Sequence, residues 1–384
     1  MLILSGLLVV FHTPSNAGYA MTPLEKMFFQ VACELTGDVN KVHFAFSNLD
    51  NGMPTSLPAD FSNVISLDKS SSSGAEFKNA EHYIQKNKIT AALCFDLQPH
   101  SDLCNLLRRA GVTKLVSYWG STMSEINHGV KLALKKVEVA LTRKKPNLFI
   151  FESEAMQRHA VFGRGIKQQN TSVIPTGVDT AHFCPNSEAK SYVETHFSIP
   201  SDKKIAFYSG HMEERKGVRV IIEAAIELVD FRGLDHIYFL ICGNRPGEEQ
   251  PFLDLLKGTK AMNNVIFAGY RTDLEQIMPG CDFGVIASTG WDSFPMSSLE
   301  MASCGLPLIV SALQGLIETI DDQKTGFMFE PGNSHALSSL IATLDSDEKL
   351  ANKLSQAARK RILNKFTLQH QKKSLTAALR NVIA

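Results

Sequence analysis

Short apolar runs alternate along this chain with longer stretches in which apolar residues return every three or four positions. The runs Leu7–Phe11, Val42–Phe46, Thr90–Phe95, Lys114–Tyr118, Leu148–Phe151 and Ser172–Pro175 predict buried strands. Between them, Thr22–Leu35, Ala75–Gln85, Ser101–Ala110, Ile126–Thr142 and Glu154–Phe162 carry a helical period. The alternation resumes after a polar stretch, Asn186–Lys203, with strands at Ile205–Ser209, Ile237–Cys242, Val265–Phe267, Phe283–Ala287 and Leu308–Val310. Helices are expected over 217–229, 250–258, 272–279 and 295–303, and the chain closes on Leu337–Leu344, Glu348–Lys365 and Leu368–Ile383. Strand followed by helix, repeated, is the pattern of a parallel sheet covered on both faces. The opening MLILSGLLVVF lacks the positive flank and cleavage site of a signal peptide and reads as a first strand. Ser70–Ser73 with Gly74 reads as a flexible surface loop.

At 384 residues, 44% hydrophobic and 20% charged, the chain has room for two ordinary globular domains. Zero net charge argues against a nucleic-acid partner. The seven cysteines are scattered and odd in number, which suits free thiols in a reducing compartment better than a disulfide or zinc framework. No run reaches the ~20 apolar residues needed to span a bilayer. The 126–145 stretch sets Lys131, Lys135, Lys136, Arg143, Lys144 and Lys145 against Val130, Leu134, Val137 and Leu141. The default expectation is a solvated basic face with the apolar seam in the core. Peripheral docking on an anionic inner membrane surface is the alternative.

The candidate chemistry centres on Ser288–Ser311, which follows the Phe283–Ala287 strand and with it makes a strand–loop–helix–strand unit. Phe294-Pro295 opens its helix, so the amides of Ser297 and Ser298 would sit at a helix N-terminus, where anions bind. Asp292 precedes that end and Glu300 lies eight residues on. Ser297 and Glu300 also fit a capping box, which needs no ligand. Asp345-Ser-Asp347 has the form of a metal-binding pair, but lies where capping of the Glu348 helix explains it.

The run Asp292-Ser-Phe-Pro-x4-Glu300 followed by Met-Ala-Ser-Cys-Gly-Leu-Pro-Leu-Ile closely resembles the donor-site signature of family-4 retaining glycosyltransferases, the glycosyl transferases group 1. Ser172–Pro185 is similar to that family's interdomain segment, and Tyr208–Gly217 resembles its Gly-Arg-x4-Lys-Gly loop. The likeness is strong over roughly 170–330 and mostly architectural before that. It departs in three places. Asp292 stands for the usual glutamate, His211 for the arginine, and Trp119-Gly120 where a catalytic histidine often follows the strand.

The resemblance implies the GT-B architecture, two Rossmann-like domains facing across a cleft, with 1–180 for the acceptor and 181–384 for the nucleotide sugar. The last helix, about 367–383, would cross back onto the first domain. It further implies that Lys216 and His211 grip the donor diphosphate and that Asp292 holds donor-sugar hydroxyls. Glu300 would accept the ribose hydroxyls. Ser297, Ser298, Phe294 and Gly210 would complete the donor site, Tyr270-Arg271 would lie by the base, and Gly18 beneath the donor sugar. Asn16, Tyr19, Trp119 and Gly120 would face the acceptor.

The reaction implied is retaining transfer of a hexose-type sugar from a UDP-, GDP- or ADP-linked donor to a saccharide, lipid or small acceptor, without a metal. Such an enzyme would work in the cytoplasm or at the inner membrane face, in cell-surface polysaccharide or glycoconjugate synthesis. A catalytically silent sugar-nucleotide-binding homologue, acting as a partner or scaffold, is the second reading. A glycoside hydrolase using Asp292 and Glu300 is the third, and would need the two carboxyls ~5–9.5 Å apart across a bond.

Overall fold

The computed structural model describes residues 4–19, 21–68, 74–121, 123 and 127–383. The serine run 70–73, Thr122 and the expected helix start at Ile126 lie outside the described residues. The chain divides into two compact units, residues 1–175 with 369–384 and residues 176–368.

In the first unit β1 (Leu7–Val10), β2 (Val42–Phe46), β3 (Val64–Ser66), β4 (Ala91–Phe95), β5 (Lys114–Trp119), β6 (Leu148–Phe151) and β7 (Thr171–Val173) form one parallel sheet. Their order is β3-β2-β1-β4-β5-β6-β7. The chain winds outward from β1 to β3 and then restarts at β4 on the other side. The crevice where winding reverses, at the carboxyl ends of β1 and β4, is where open sheets of this kind bind ligands. The connecting helices are α1 (Thr22–Thr36), α2 (Gly74–Lys86), α3 (Asp102–Ala110), α4 (Gly129–Leu141) and α5 (Glu154–Arg164). Central strands are apolar throughout because both faces are covered, and Leu7, Leu8, Val9 and Val10 are all buried. Phe11 continues that core, stacking on Phe28 and Phe46 at 5.5 and 5.8 Å between ring centres.

The second unit opens with α6 (Ala189–Phe197), within the stretch read as a polar connector. β8 (Lys204–Ser209), β9 (Ile237–Cys242), β10 (Val265–Phe267), β11 (Phe283–Ile286), β12 (Leu308–Ser311) and β13 (Gly326–Phe329) then make a parallel sheet ordered β10-β9-β8-β11-β12-β13. The winding is the same as in the first unit, and its reversal falls between β8 and β11. Flanking it are α7 (Val218–Ile226), α8 (Gln250–Leu256), α9 (Leu274–Ile277), α10 (Met296–Ser303), α11 (Ser334–Ser346) and α12 (Glu348–Lys365). Alternate strand residues supply two cores, Phe239 and Ile241 with α7 and α11 on one face, Leu240 and Cys242 with α10 and α12 on the other. All seven cysteines are free thiols, as expected. Asp347 caps α12 by accepting from the Leu350 amide at 2.9 Å, also as expected.

The last helix, α13 (Leu368–Ile383), returns to the first unit. There Gln371 donates to the Tyr118 hydroxyl at 3.1 Å and Arg380 reaches Glu34 at 3.0 Å.

The α4 seam overturns its default expectation. Val130, Leu134, Val137 and Leu141 are 77%, 65%, 54% and 74% exposed, so the apolar face points outward.

Candidate active site

In the second unit, the loops after β8 and β11 meet at the winding reversal and are stitched together. The Thr289 and Gly290 amides donate to the Arg215 carbonyl at 2.8 and 3.1 Å, and the Arg215 guanidinium donates to the Trp291 carbonyl at 2.9 Å. Gly217 has φ of 71°, and a Cβ there would fall 1.7 Å from the Ala287 carbonyl oxygen. Only glycine can let the 210–217 loop close this tightly over the end of β11. A similar contact brings Gly243 (φ 111°) onto Gly210, whose carbonyl oxygen lies 2.1 Å from the position of a Cβ.

This closure sets Lys216 against Asp292. The ammonium donates to Asp292 Oδ2 at 3.0 Å, and the Ser288 hydroxyl donates to the same oxygen at 2.7 Å. Asp292 is 4% exposed and the Lys216 side chain 17%. A buried carboxylate needs such partners, since an unpaired charge in the interior is costly. Its field also adds to burial in raising the Tyr208 phenol above its ordinary value. Tyr208 in turn donates to the His211 carbonyl at 2.8 Å and so shapes the loop.

The neighbouring helix α10 differs in detail from its expected start. Pro295 is the residue before the helix rather than its first turn, and no side chain caps it, so the Ser297–Glu300 capping box does not form. Ser298 is fully buried, its amide and hydroxyl both donating to the Pro295 carbonyl at 3.2 and 2.8 Å. Its amide, expected to be open to an anion, is thus already engaged. Ser297 remains half-exposed in the first turn. Glu300 lies one turn further on and is 2% exposed, a buried acid in the helix beside the site. Phe294, expected at the donor, is an interior residue instead, 3% exposed and packed edge-on against Phe366 at 5.6 Å. It anchors the loop that carries Asp292.

The remaining donor-side residues spread out. His211 is 75% exposed, with Glu213 3.9 Å from its Nδ1. Tyr270 is 62% exposed beyond β10. Arg271 is bound by Asp273 at 2.8 and 2.5 Å and lies over the Phe197 ring at 5.5 Å. Those contacts hold the Asp273 carboxyl below its ordinary range.

In the first unit, the winding reversal brings together His12 after β1 and Asp96 after β4. The His12 ring stacks on Phe95 at 5.6 Å, and Asp96 adopts a left-handed φ of 50°, uncommon outside glycine. Asp96 Oδ1 accepts from the Gly120 amide at 3.0 Å and Oδ2 from the Ser121 hydroxyl at 2.7 Å. Burial raises its carboxyl above the ordinary aspartate value, opposed by Ser121 and the nearby His12. A Cβ on Gly120 would lie 3.5 Å from Glu152 Oε1, so a second carboxylate borders the same spot. Asp96 escaped the sequence reading because a lone aspartate after a strand carries no pattern. Its partners come from other strands.

Three acceptor-side expectations change here. Trp119 is 2% exposed and belongs to the core end of β5. Asn16 spends its amide on loop 51–55, donating to the Asn51 and Met53 carbonyls at 2.9 and 3.0 Å and accepting from the Thr55 amide and hydroxyl at 2.9 Å each. It is a loop staple. Gly120 contributes its amide, to Asp96. Gly18 (φ 119°) and Tyr19, 37% exposed, line the outer part of the loop after β1.

Residues 194–361, within the second unit, match the family described as glycosyl transferases group 1. The chain is 31% identical over 225 residues to an N,N'-diacetylbacillosaminyl-diphospho-undecaprenol alpha-1,3-N-acetylgalactosaminyltransferase of Campylobacter jejuni, an alignment spanning 57% of this chain and 56% of that protein. It is 23% identical over 239 residues to a UDP-Gal:alpha-D-GlcNAc-diphosphoundecaprenol alpha-1,3-galactosyltransferase of Escherichia coli, spanning 62% and 61%. The chain thus matches less than two thirds of the length of these relatives. A crystal structure of a glycosyltransferase from Rickettsia africae is similar over 98% of both chains, with a TM-score of 0.82 and 20% identity. The two-unit α/β architecture is that of the GT-B fold.

Proposed function

We propose that this protein is a retaining glycosyltransferase that moves a hexose-type sugar from a nucleoside-diphosphate sugar to a lipid-linked saccharide. In this reading it acts in the cytoplasm, in the synthesis of cell-surface glycans. The observation that carries the proposal is the Lys216–Asp292 pair, held where the loops after β8 and β11 close on each other inside the segment 194–361. A departing nucleoside diphosphate gathers negative charge on its phosphate oxygens, and a fixed cation in a water-poor site stabilises that charge best. An ammonium has three donors. One is committed to Asp292, which leaves two for phosphate oxygens. Ser297 in the first turn of α10 and His211 on the facing loop would extend the anion site, and Glu300 would accept the ribose hydroxyls. Asp292 fixes Lys216 and contacts the transferred sugar. The reading requires no metal, because Lys216 and the first turn of α10 supply the positive field.

In the first unit, Asp96, beside His12, would bind hydroxyls of the acceptor. One hydroxyl attacks on the face from which the leaving group departs, and its proton passes to a diphosphate oxygen. The lipid-linked acceptor class is favoured by the names of the two curated relatives, and a UDP-linked donor by the name of the Escherichia coli one. The direct test is thermal-shift screening with UDP, GDP, ADP and their sugars, followed by turnover with undecaprenyl-diphosphate saccharides. A ligand at 100 times its Kd should stabilise by about 2.7 kcal/mol. No shift with any of the three nucleotides would sink the proposal, and a shift without turnover would leave only a binding homologue.

A further inference from the structure

Strands β4, β5 and β6 lie side by side in the first sheet, and the residues directly after them are Asp96, Gly120 and Glu152. Neighbouring strands are about 4.8 Å apart, so the two acids leave the backbone roughly 10 Å apart with a glycine between them. The surroundings fix that glycine. A Cβ on Gly120 would fall 2.8 Å from the Phe95 ring and 3.5 Å from Glu152 Oε1. The rim of the sheet therefore dips at Gly120, with an acid on each side and the Phe95 ring against it.

Both acids are oriented by neutral donors. Asp96 takes the Gly120 amide and the Ser121 hydroxyl, and no lysine or arginine among the described residues pairs with it. Glu152, 8% exposed, accepts from the Tyr118 hydroxyl at 3.3 Å. The same hydroxyl oxygen accepts from the Gln371 amide at 3.1 Å. A phenol has one proton to give, so the chain of bonds runs one way, from α13 through β5 to Glu152, each bond polarising the next. Tyr118 and Gln371 are both buried, which sets the carboxylate from behind the rim. Seating α13 would not by itself need a charge here, because an ionised group withdrawn from water is costly where a neutral amide would accept the same bond. A carboxylate has about four acceptor sites, so the bonds named orient the two acids without exhausting them.

We propose that Glu152 is a second recognition carboxylate of the acceptor site, positioned by Tyr118 and Gln371, and that with Asp96 it selects an acceptor sugar that is uncharged where it enters the dip. Two hydroxyls of a neutral saccharide supply the protons that the acids accept. A carboxylate or phosphate on the sugar would bring a third negative charge into poorly screened space. The inference rests on the acceptor side of the proposed function, and its test reads binding rather than turnover. Saturation-transfer NMR on the full chain compares methyl glucoside with methyl glucuronide, and methyl galactoside with methyl galacturonide. The neutral member of at least one pair should bind at least tenfold more tightly than its uronide. Glu152→Gln, which can still accept from Tyr118, should cut that ratio to threefold or less while keeping the wild-type unfolding temperature. A residue that only supports the fold would change both members of a pair alike and leave the ratio standing. If Glu152→Gln misfolds, Tyr118→Phe should lower affinity for the neutral glycoside at least threefold, and unaltered binding by that variant overturns the proposal. So do wild type that binds none of the four probes, wild type that binds uronide and glycoside equally, and a folded Glu152→Gln with an unchanged ratio. Thermal shifts with UDP, GDP and ADP on the same samples keep the two readings apart. No nucleotide shift counts against the transferase whatever the glycosides do, and a nucleotide shift without charge selectivity counts against Glu152 alone.

Discussion

The Lys216 ammonium and the Asp292 carboxylate lie 3.0 Å apart, both largely withdrawn from water, although 76 residues separate them in sequence. The pair is at once a structural clasp between two loops and the centre of the proposed donor site. Stability and turnover should therefore respond differently when it is altered.

Lys216→Ala leaves Asp292 buried with Ser288 as its remaining partner, and stability should drop by roughly 3 kcal/mol or more, as when one member of a buried pair is removed. Lys216→Met/Asp292→Leu should regain most of that loss and remain inactive. Chemical denaturation alongside turnover checks this. Recovery of activity in the double variant would remove both residues from the chemistry.

Glu300→Ala should weaken binding of the free nucleoside diphosphate by roughly 1.5–3 kcal/mol, the range for hydrogen bonds to a charged group. Glu300→Gln should fold more stably than the alanine variant and still bind weakly. Calorimetry giving wild-type affinity for Glu300→Ala would end the ribose assignment.

Asp96→Asn can still accept from the Gly120 amide but cannot hold an acceptor hydroxyl as an anion does. Turnover should fall at least tenfold with nucleotide affinity unchanged. Burial raises the Asp96 carboxyl, so in the wild type activity should decline with acid at a higher pH than an ordinary aspartate would impose. Equal losses of nucleotide affinity and turnover would contradict an acceptor-side role.

His211→Arg should tighten donor binding, since a guanidinium presents a planar fork of N–H donors that pairs two phosphate oxygens at once. At 75% exposure the side chain can turn to a ligand without disturbing the core. Titrations of wild type and His211→Arg that coincide would place residue 211 outside the site.

His43 gives a pH prediction for the fold. It is buried on β2 against the Tyr83 hydroxyl at 2.9 Å, and burial lowers its pKa to about 4. Neutral in both folded and unfolded chains above pH ~6.5, it contributes no pH dependence there. Below that value the unfolded chain takes up the proton first. The first unit should lose stability as pH falls from ~6.5 to about 4, by at most roughly 3 kcal/mol from this residue, and then level off. Comparing wild type with His43→Phe across that window isolates the contribution; parallel curves would contradict it.

Much of the fold could be read from periodicity because both sheets consist of buried strands bounded by glycine, serine or proline. The exceptions have physical causes. β3 is a three-residue edge strand with two apolar residues, and β13 is an edge strand with three, Phe327 to Phe329, so each apolar run is too short to stand out from its surroundings. α6 buries Ala189 and Val193, too few positions for a period. In the candidate site, Lys216, Asp292 and Glu300 were singled out through the family resemblance of their local motifs, and the fold brings the first two into contact. Asp96 was not, because its partners Gly120, Ser121 and His12 come from other strands. The α4 seam was legible as a stripe but not as to which way it faced. Periodicity identifies an apolar face; only packing decides what that face meets.

The return of α13 to the first unit has a consequence for biosynthesis. Gln371 and Arg380 complete contacts with Tyr118 and Glu34, yet they leave the ribosome only after every residue of the second unit. The domain translated first is thus finished last, while the second unit, contiguous over 176–368, can fold without waiting. During synthesis the nascent first domain must persist with the α13 seat uncovered, a vulnerable interval in which chaperones and proteases compete with completion. Premature termination anywhere within α13 would therefore mark the amino-terminal part of the chain for degradation, although the whole of the second unit lies between it and the defect in sequence.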